Sequence, residues 1–214
     1  MTEPFLKYSG ELGRKALHLL ALVLPAAVLV VGKPDVLWGL VPIALTALAL
    51  DLLRVRSAGL NRFIDAVFGW MMRPAERPAP GEPAHINGAT WVLLSMASLT
   101  ILFPVETAVA AFVVFMLGDA AAALVGRRFG RHLWTDVAGG RAGCSVEGSI
   151  AFLVVGLATA LFLVTTGLVA IPLWALGVMA LVACVLEALP VPLNDNLAAP
   201  LGAAVVLQVL LLIA

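Results

Sequence analysis

Leu117-Gly118-Asp119-Ala120-Ala121-Ala122-Ala123-Leu124-Val125-Gly126-Arg127-Arg128-Phe129-Gly130-Arg131 is followed, after a polar gap, by Ser145-Val146-Glu147-Gly148-Ser149. The first run is an apolar segment with a carboxylate inside it, then small residues at four-residue spacing and a burst of arginines. The second is a small-residue turn that carries a glutamate. An ionisable group in or beside hydrocarbon costs a few kcal/mol or more, so it faces a cavity, a cation or another charge. Asp119 therefore needs partners, and the rest of the chain reads as the scaffold that brings them.

Composition fixes the setting. Of the 214 residues, 62% are hydrophobic and only 12% charged, with a mean hydropathy of +1.07. A soluble domain is closer to half apolar and about a quarter charged. The expected fold is all-α: a single polytopic membrane domain over 1–214 with about seven transmembrane helices of roughly 20 residues each. The two cysteines, Cys144 and Cys184, make neither a disulfide framework nor a zinc site. The first ten residues lack the basic-then-apolar pattern of a cleaved leader, which predicts that the mature chain is complete.

Taken in order, spans are expected over about 13–31, 36–53, 88–103, 107–125, 147–164, 169–189 and 197–214. In the first, Glu11, Arg14, Lys15 and His18 fall at i, i+3, i+4 and i+7 and so share one helix face. A snorkelling basic anchor is one reading; Glu11 and His18 on the same face favour a polar site. Asp51, Arg54 and Arg56 close the second span as an interfacial ion cluster. Between about 60 and 72, Leu60, Phe63, Ile64, Val67, Phe68 and Met71 are spaced as one apolar helix face. That length is too short to cross a bilayer, so an amphipathic helix lying in the interface is predicted. The proline-rich run Pro74 to Pro83 is a loop.

Threading seven spans with the amino end inside puts twelve of the thirteen lysines and arginines on one side and Lys33 alone on the other. That bias makes the arginine-rich face cytoplasmic. Glu11, Asp51, Asp119, Glu147, Glu187 and Asp195 then lie on the same face.

Three constellations there can carry chemistry. Gly126 and Gly130 beside Arg127, Arg128 and Arg131 would let a backbone approach phosphate oxygens that the planar guanidinium forks grip. The plain alternative is close helix packing through a small-residue stripe. Ser145, Glu147, Gly148 and Ser149 open the fifth span, where free amides attract anions and where Ser145 serves equally as an ordinary cap. Asp119, Glu187 and Asp195 offer hard oxygens to magnesium, which keeps waters and substrate phosphates in its shell. Asn194 to Asn196 also reads as a polar turn capping the last span.

In order, Glu11-Leu12-Gly13-Arg14-Lys15-Ala16-Leu17-His18, Leu117-Gly118-Asp119 through Gly126-Arg127-Arg128-Phe129-Gly130, Ser145 to Ser149, and Glu187-Ala188-Leu189 with Asp195-Asn196-Leu197-Ala198-Ala199-Pro200-Leu201 resemble the CTP-dependent lipid-alcohol kinases. These include dolichol kinase, phytol kinase and the yeast-type diacylglycerol kinase. The resemblance covers most of the chain. It implies phosphoryl transfer from CTP to the hydroxyl of a membrane lipid, with magnesium or another divalent cation. It implies that Arg14, Lys15, Asp119 and the turn at Gly126 are essential. Arg14, Lys15, Arg127 and Arg128 would clamp the nucleotide. Asp119 would bind metal or orient the hydroxyl, Glu187 and Asp195 would be further ligands, and His18 and Asn196 would position the lipid. The expected partners are a nucleotide triphosphate, a lipid alcohol (isoprenoid rather than diacylglycerol) and the bilayer, with no nucleic acid. The expected place is a prokaryotic plasma membrane. Family members carry a lysine before the Ser-x-Glu-Gly-Ser serine where this chain has Cys144; Arg141 is the candidate to supply that charge. The middle motif also resembles phosphatidate cytidylyltransferase, whose C-terminal His-Gly-Gly and Asp-Arg element is absent. A transporter is the alternative of another class, but no convincing internal repeat is present.

Overall fold

The computed structural model describes residues 13, 16–72, 77 and 85–214, and these are helical, with no strand among them. Arg14 and Lys15, the expected clamp, lie outside the described residues, as do Glu11 and most of the proline-rich run. Three helices are long and apolar enough to cross a membrane, or four if one sharply bent pair counts as a single span.

A helical turn at residues 16–20 gives way at 21–22 and resumes as α1, Val23–Val31. The predicted single helix over 13–31 is interrupted because Pro25 has no N–H to offer the Ala21 carbonyl. That carbonyl accepts from Leu24 N instead, at 3.0 Å. α2, Leu37–Leu53, is followed by α3, Ala58–Phe68, bent 118° away from it. Ser57 starts α3 by accepting from Leu60 N at 3.3 Å, and a 3-10 turn over Gly69–Met71 ends the segment. Ile64 is buried, whereas Phe63, Val67 and Trp70 are exposed. The segment is helical as expected, beginning two residues earlier than the apolar spacing suggests.

α4, Gly88–Leu102, and α5, Val105–Phe129, form an antiparallel pair around the turn at Phe103-Pro104. α5 outruns its expected bounds at both ends. Pro104 is its N-cap, so helix begins directly after it. Gly126 does not end it, because a single glycine costs only about 1 kcal/mol in a helix and the packing below requires one there. A short α6, Trp134–Ala138, interrupts what looked like a plain loop. α7, Val146–Thr165, α8, Leu173–Ala188, and α9, Asp195–Ile213, complete the chain. α8 starts later than expected because Pro172 sets its first turn.

α5 is the central helix. Phe112, Val114, Phe115 and Met116 are at most 1% exposed, and α1, α4, α7, α8 and α9 all pack on it. Its contact with α7 is the most extensive in the molecule, and glycines make it possible. A Cβ on Gly118 would stand 2.8 Å from the Phe152 ring, and one on Gly148 would stand 3.0 Å from the Ala122 carbonyl.

Of the expected ion cluster, Asp51 stands 4.0 Å from Arg54, and both are buried. They are 2% and 1% exposed. The Asp51 carboxylate accepts from Asn87 N at 2.8 Å, Asn87 Nδ2 at 2.6 Å and Thr90 Oγ1 at 2.7 Å. A carboxylate at a helix N-terminus satisfies free amides and complements the helix dipole. Asp51 of α2 thus caps α4 from outside.

Candidate functional site

α5, α8 and α9 bring three carboxylates into one region, Asp119 from within α5 and Glu187 and Asp195 from the ends of α8 and α9. Asp119, on the buried face of α5, is 7% exposed. His18, from the turn before α1, places Nε2 3.2 Å from Asp119 Oδ2, without hydrogen-bond geometry. The break ahead of Pro25 lies between this histidine and the rest of its helix. Glu187, in the last turn of α8, is also 7% exposed and lies within electrostatic reach of Asp119, Asp195 and Arg141. Asp195 opens α9 and pairs with Arg141 at 2.5 Å.

The chain between α5 and α7 folds back to hold these groups. Its neck is an antiparallel bridge between Leu133 and Ser145. Trp134 N donates to the Cys144 carbonyl at 3.1 Å, and Val146 N donates to the His132 carbonyl at 2.9 Å. The loop then docks on α8, where Arg141 N donates to the Ala188 carbonyl at 2.8 Å. The Cys144 thiol donates to Glu187 Oε1 at 3.4 Å. Burial, reinforced by Glu187, pushes that thiol up to about 12, so it stays a neutral donor. Burial works against the Arg141 charge, but Asp195 outweighs it and raises the guanidinium above its ordinary range. The cation at this end of α8 and α9 is therefore Arg141, three residues before Cys144.

The Ser145–Ser149 element is engaged on every side. Ser145 Oγ accepts from Gly148 N at 3.1 Å and caps α7. Glu147 accepts from His132, at 2.7 Å from Nδ1 and 3.4 Å from the backbone N. Ser149 Oγ accepts from Trp134 Nε1 at 2.9 Å, and its carbonyl accepts from the Cys184 thiol at 3.3 Å. The glycines belong to the same packing. A Cβ on Gly126 would lie 3.1 Å from Ser145 Oγ, and one on Gly130 would collide with the Gly126 carbonyl and with Ser145. On these faces Gly126, Gly130, Ser145 and Gly148 make a close crossing of α5 and α7. Arg128 and Arg131 remain exposed beside it, Arg128 lying 5.6 Å from the centre of the Phe129 ring.

Among the described residues, no three His, Cys, Asp or Glu side chains converge as a metal cage. Of the three carboxylates expected to ligate one ion, Asp195 is paired with Arg141. Asp119 and Glu187 remain a hard-oxygen pair, which suits magnesium when phosphate oxygens supply the other ligands. Asn196 is buried, and its backbone N donates to Asn194 Oδ1 at 3.1 Å in the cap of α9.

No family model matches the chain, and no solved structure does. Over 150 residues the chain is 27% identical to the uncharacterized protein RP860 of Rickettsia prowazekii (strain Madrid E). That alignment covers 70% of this chain and 69% of the relative.

Several participants carry no sequence signal. His132 and Trp134 find their partners, Glu147 and Ser149, across a loop without periodicity. The network of Asp51, Asn87 and Thr90 joins residues 36 and 39 positions apart. Its one sequence signal was a carboxylate at the end of an apolar run.

Proposed function

We propose that the chain is a seven-span membrane protein that transfers the terminal phosphoryl group of CTP to the hydroxyl of a lipid alcohol, an isoprenoid rather than diacylglycerol. The observation that carries this reading is the meeting of Asp119, Glu187 and Asp195 from three separate helices, with His18 on the first and Arg141 on the last. Phosphoryl transfer asks a protein mainly to position two reactants and neutralise phosphate charge. Carboxylates faced by cations at one end of a helical bundle meet that need.

Asp119 and His18 form the pair that orients the attacking hydroxyl and takes its proton. Asp119 and Glu187 would hold magnesium, which supplies charge neutralisation and orientation of the phosphates. Arg14 and Lys15 precede His18 by four and three residues, and with Arg127, Arg128 and Arg131 they bind the triphosphate. Arg141 holds Asp195 in place and stands in for the lysine replaced by Cys144.

The remaining spans are the three shorter apolar helices, Ala16–Val31, Gly88–Leu102 and Leu173–Ala188. At 1.5 Å per residue each is about 24 Å long, so interfacial flanks complete the crossing. The arginine-rich end faces the cytoplasm of a prokaryotic cell.

The test is product analysis with purified protein, magnesium and CTP labelled at the gamma phosphate, offering isoprenoid alcohols, diacylglycerol or phosphatidic acid separately. Label in a lipid phosphate is the expected result. Pyrophosphate released with phosphatidic acid would make the protein a cytidylyltransferase. Absence of transfer with every acceptor, alongside ion-coupled flux in proteoliposomes, would make it a transporter.

A further inference from the structure

α1 and α7 both pack on α5 yet do not pack closely on each other. The space between them is an open groove of about 500 Å³, with Val109, Val113 and Leu117 of α5 as its floor. That volume is in the range of small-ligand sites. Its walls are α1 from Leu22 to Leu29 and α7 from Val155 to Leu163. Thr159 is the one hydroxyl in the lining, and it donates to the Val155 carbonyl at 2.8 Å within its own helix. The lining therefore offers a ligand hydrocarbon contact and no polar grip, which excludes a nucleotide or a polar head group from this space.

We infer that this slot holds the single hydrocarbon tail of the lipid alcohol, entering sideways from the bilayer between α1 and α7. Position is the first argument. Leu22 follows His18 by four residues, so the slot begins about 6 Å along the chain from the histidine whose Nε2 stands 3.2 Å from Asp119. A tail lying in it delivers its head to the His18 and Asp119 pair. Extent is the second. From Leu117 to Val109 the floor runs about 12 Å, most of one leaflet of the hydrocarbon core. Ala26 and Ala158 line the slot and are exposed, so a large side chain at either would fill it without overpacking the core.

The identity of the head group rests on the kinase reading; the place of the tail does not. The test uses full-length protein in nanodiscs with a diazirine-bearing farnesol, its crosslinks mapped by peptide mass spectrometry, in wild type, Ala26→Phe and Ala158→Phe. Crosslinks are expected on α1 and α7 beside Ala26 and Ala158, competed by unmodified farnesol. Labelling should fall roughly tenfold in either variant, and the KM for farnesol should rise alike while that for CTP stays unchanged. Labelling elsewhere, labelling indifferent to both substitutions, or competition by phosphatidylcholine as effective as by farnesol would overturn the slot. Unaltered farnesol phosphorylation in both variants would overturn the slot and leave the kinase standing. Slot labelling without phosphoryl transfer would overturn the kinase and keep the slot.

Discussion

At the residue scale the decisive group is Asp119, a buried carboxylate beside His18 and within electrostatic reach of Glu187. If it orients the hydroxyl and takes its proton, Asp119→Asn keeps the shape and removes the base. The expected loss in kcat is about 10²–10⁴-fold, with the protein still folded and binding CTP, as initial rates at saturating substrates would report. A kcat within threefold of wild type would remove Asp119 from the chemistry. Cys144 gives a second prediction. Its neutral thiol faces Glu187 Oε1 at 3.4 Å, where the resemblance implies a lysine. Cys144→Lys places an ammonium between Glu187 and incoming phosphates and should lower the KM for CTP roughly tenfold, about 1.4 kcal/mol. An unchanged KM would mean that Arg141 already supplies the whole of that charge. Arg141 itself is a positioning residue. Arg141→Gln strips Asp195 of its charged partner and should cost about 2 kcal/mol of stability, read as a lower unfolding temperature in detergent, with partial recovery in Arg141→Lys.

At the scale of elements, α5 and α7 depend on residues that have no side chain. Gly148→Ala presses a methyl to 3.0 Å from the Ala122 carbonyl, which a backbone atom cannot yield to cheaply. The expected destabilisation is about 1–3 kcal/mol, measured by thermal unfolding in detergent. Wild-type stability would show that the crossing has slack. The same crossing explains what could be read in advance. The helices were legible because each is an apolar run bounded by charges or prolines, and Asp119 and Glu187 stood out as carboxylates inside such runs. The far end of α5 was not legible, since Gly126 looks like a stop until Ser145 is seen to need the space. α6 was hidden because five residues carry no periodic signal. The carboxylates' partners were hidden for another reason: Arg141 with Asp195, His132 with Glu147, and Asp51 with Asn87 are all joined by folding rather than by spacing along one helix.

At the scale of the whole molecule, the arrangement stands or falls on which end faces the cytoplasm. If the proposed spans alternate in direction, Lys33, after α1, and Arg131, after α5, belong to opposite ends. Lys33 reaches the carbonyls of Ile101 and Phe103 at the close of α4, at 3.0 and 3.4 Å, while Arg131 is exposed past the end of α5. If the positive-inside bias governs insertion, cysteine at position 131 is reached by an impermeant maleimide only from the cytoplasmic side. Cysteine at position 33 is then reached only from the other. Arg131→Cys and Lys33→Cys, each built on Cys144→Ser with Cys184→Ala, should therefore label in opposite patterns in right-side-out and inside-out vesicles. Labelling of both from one side would break the alternation and with it the seven-span reading. Opposite patterns with position 131 outside would keep the spans but put the carboxylates beyond the reach of cytoplasmic CTP, and the kinase would lose its donor.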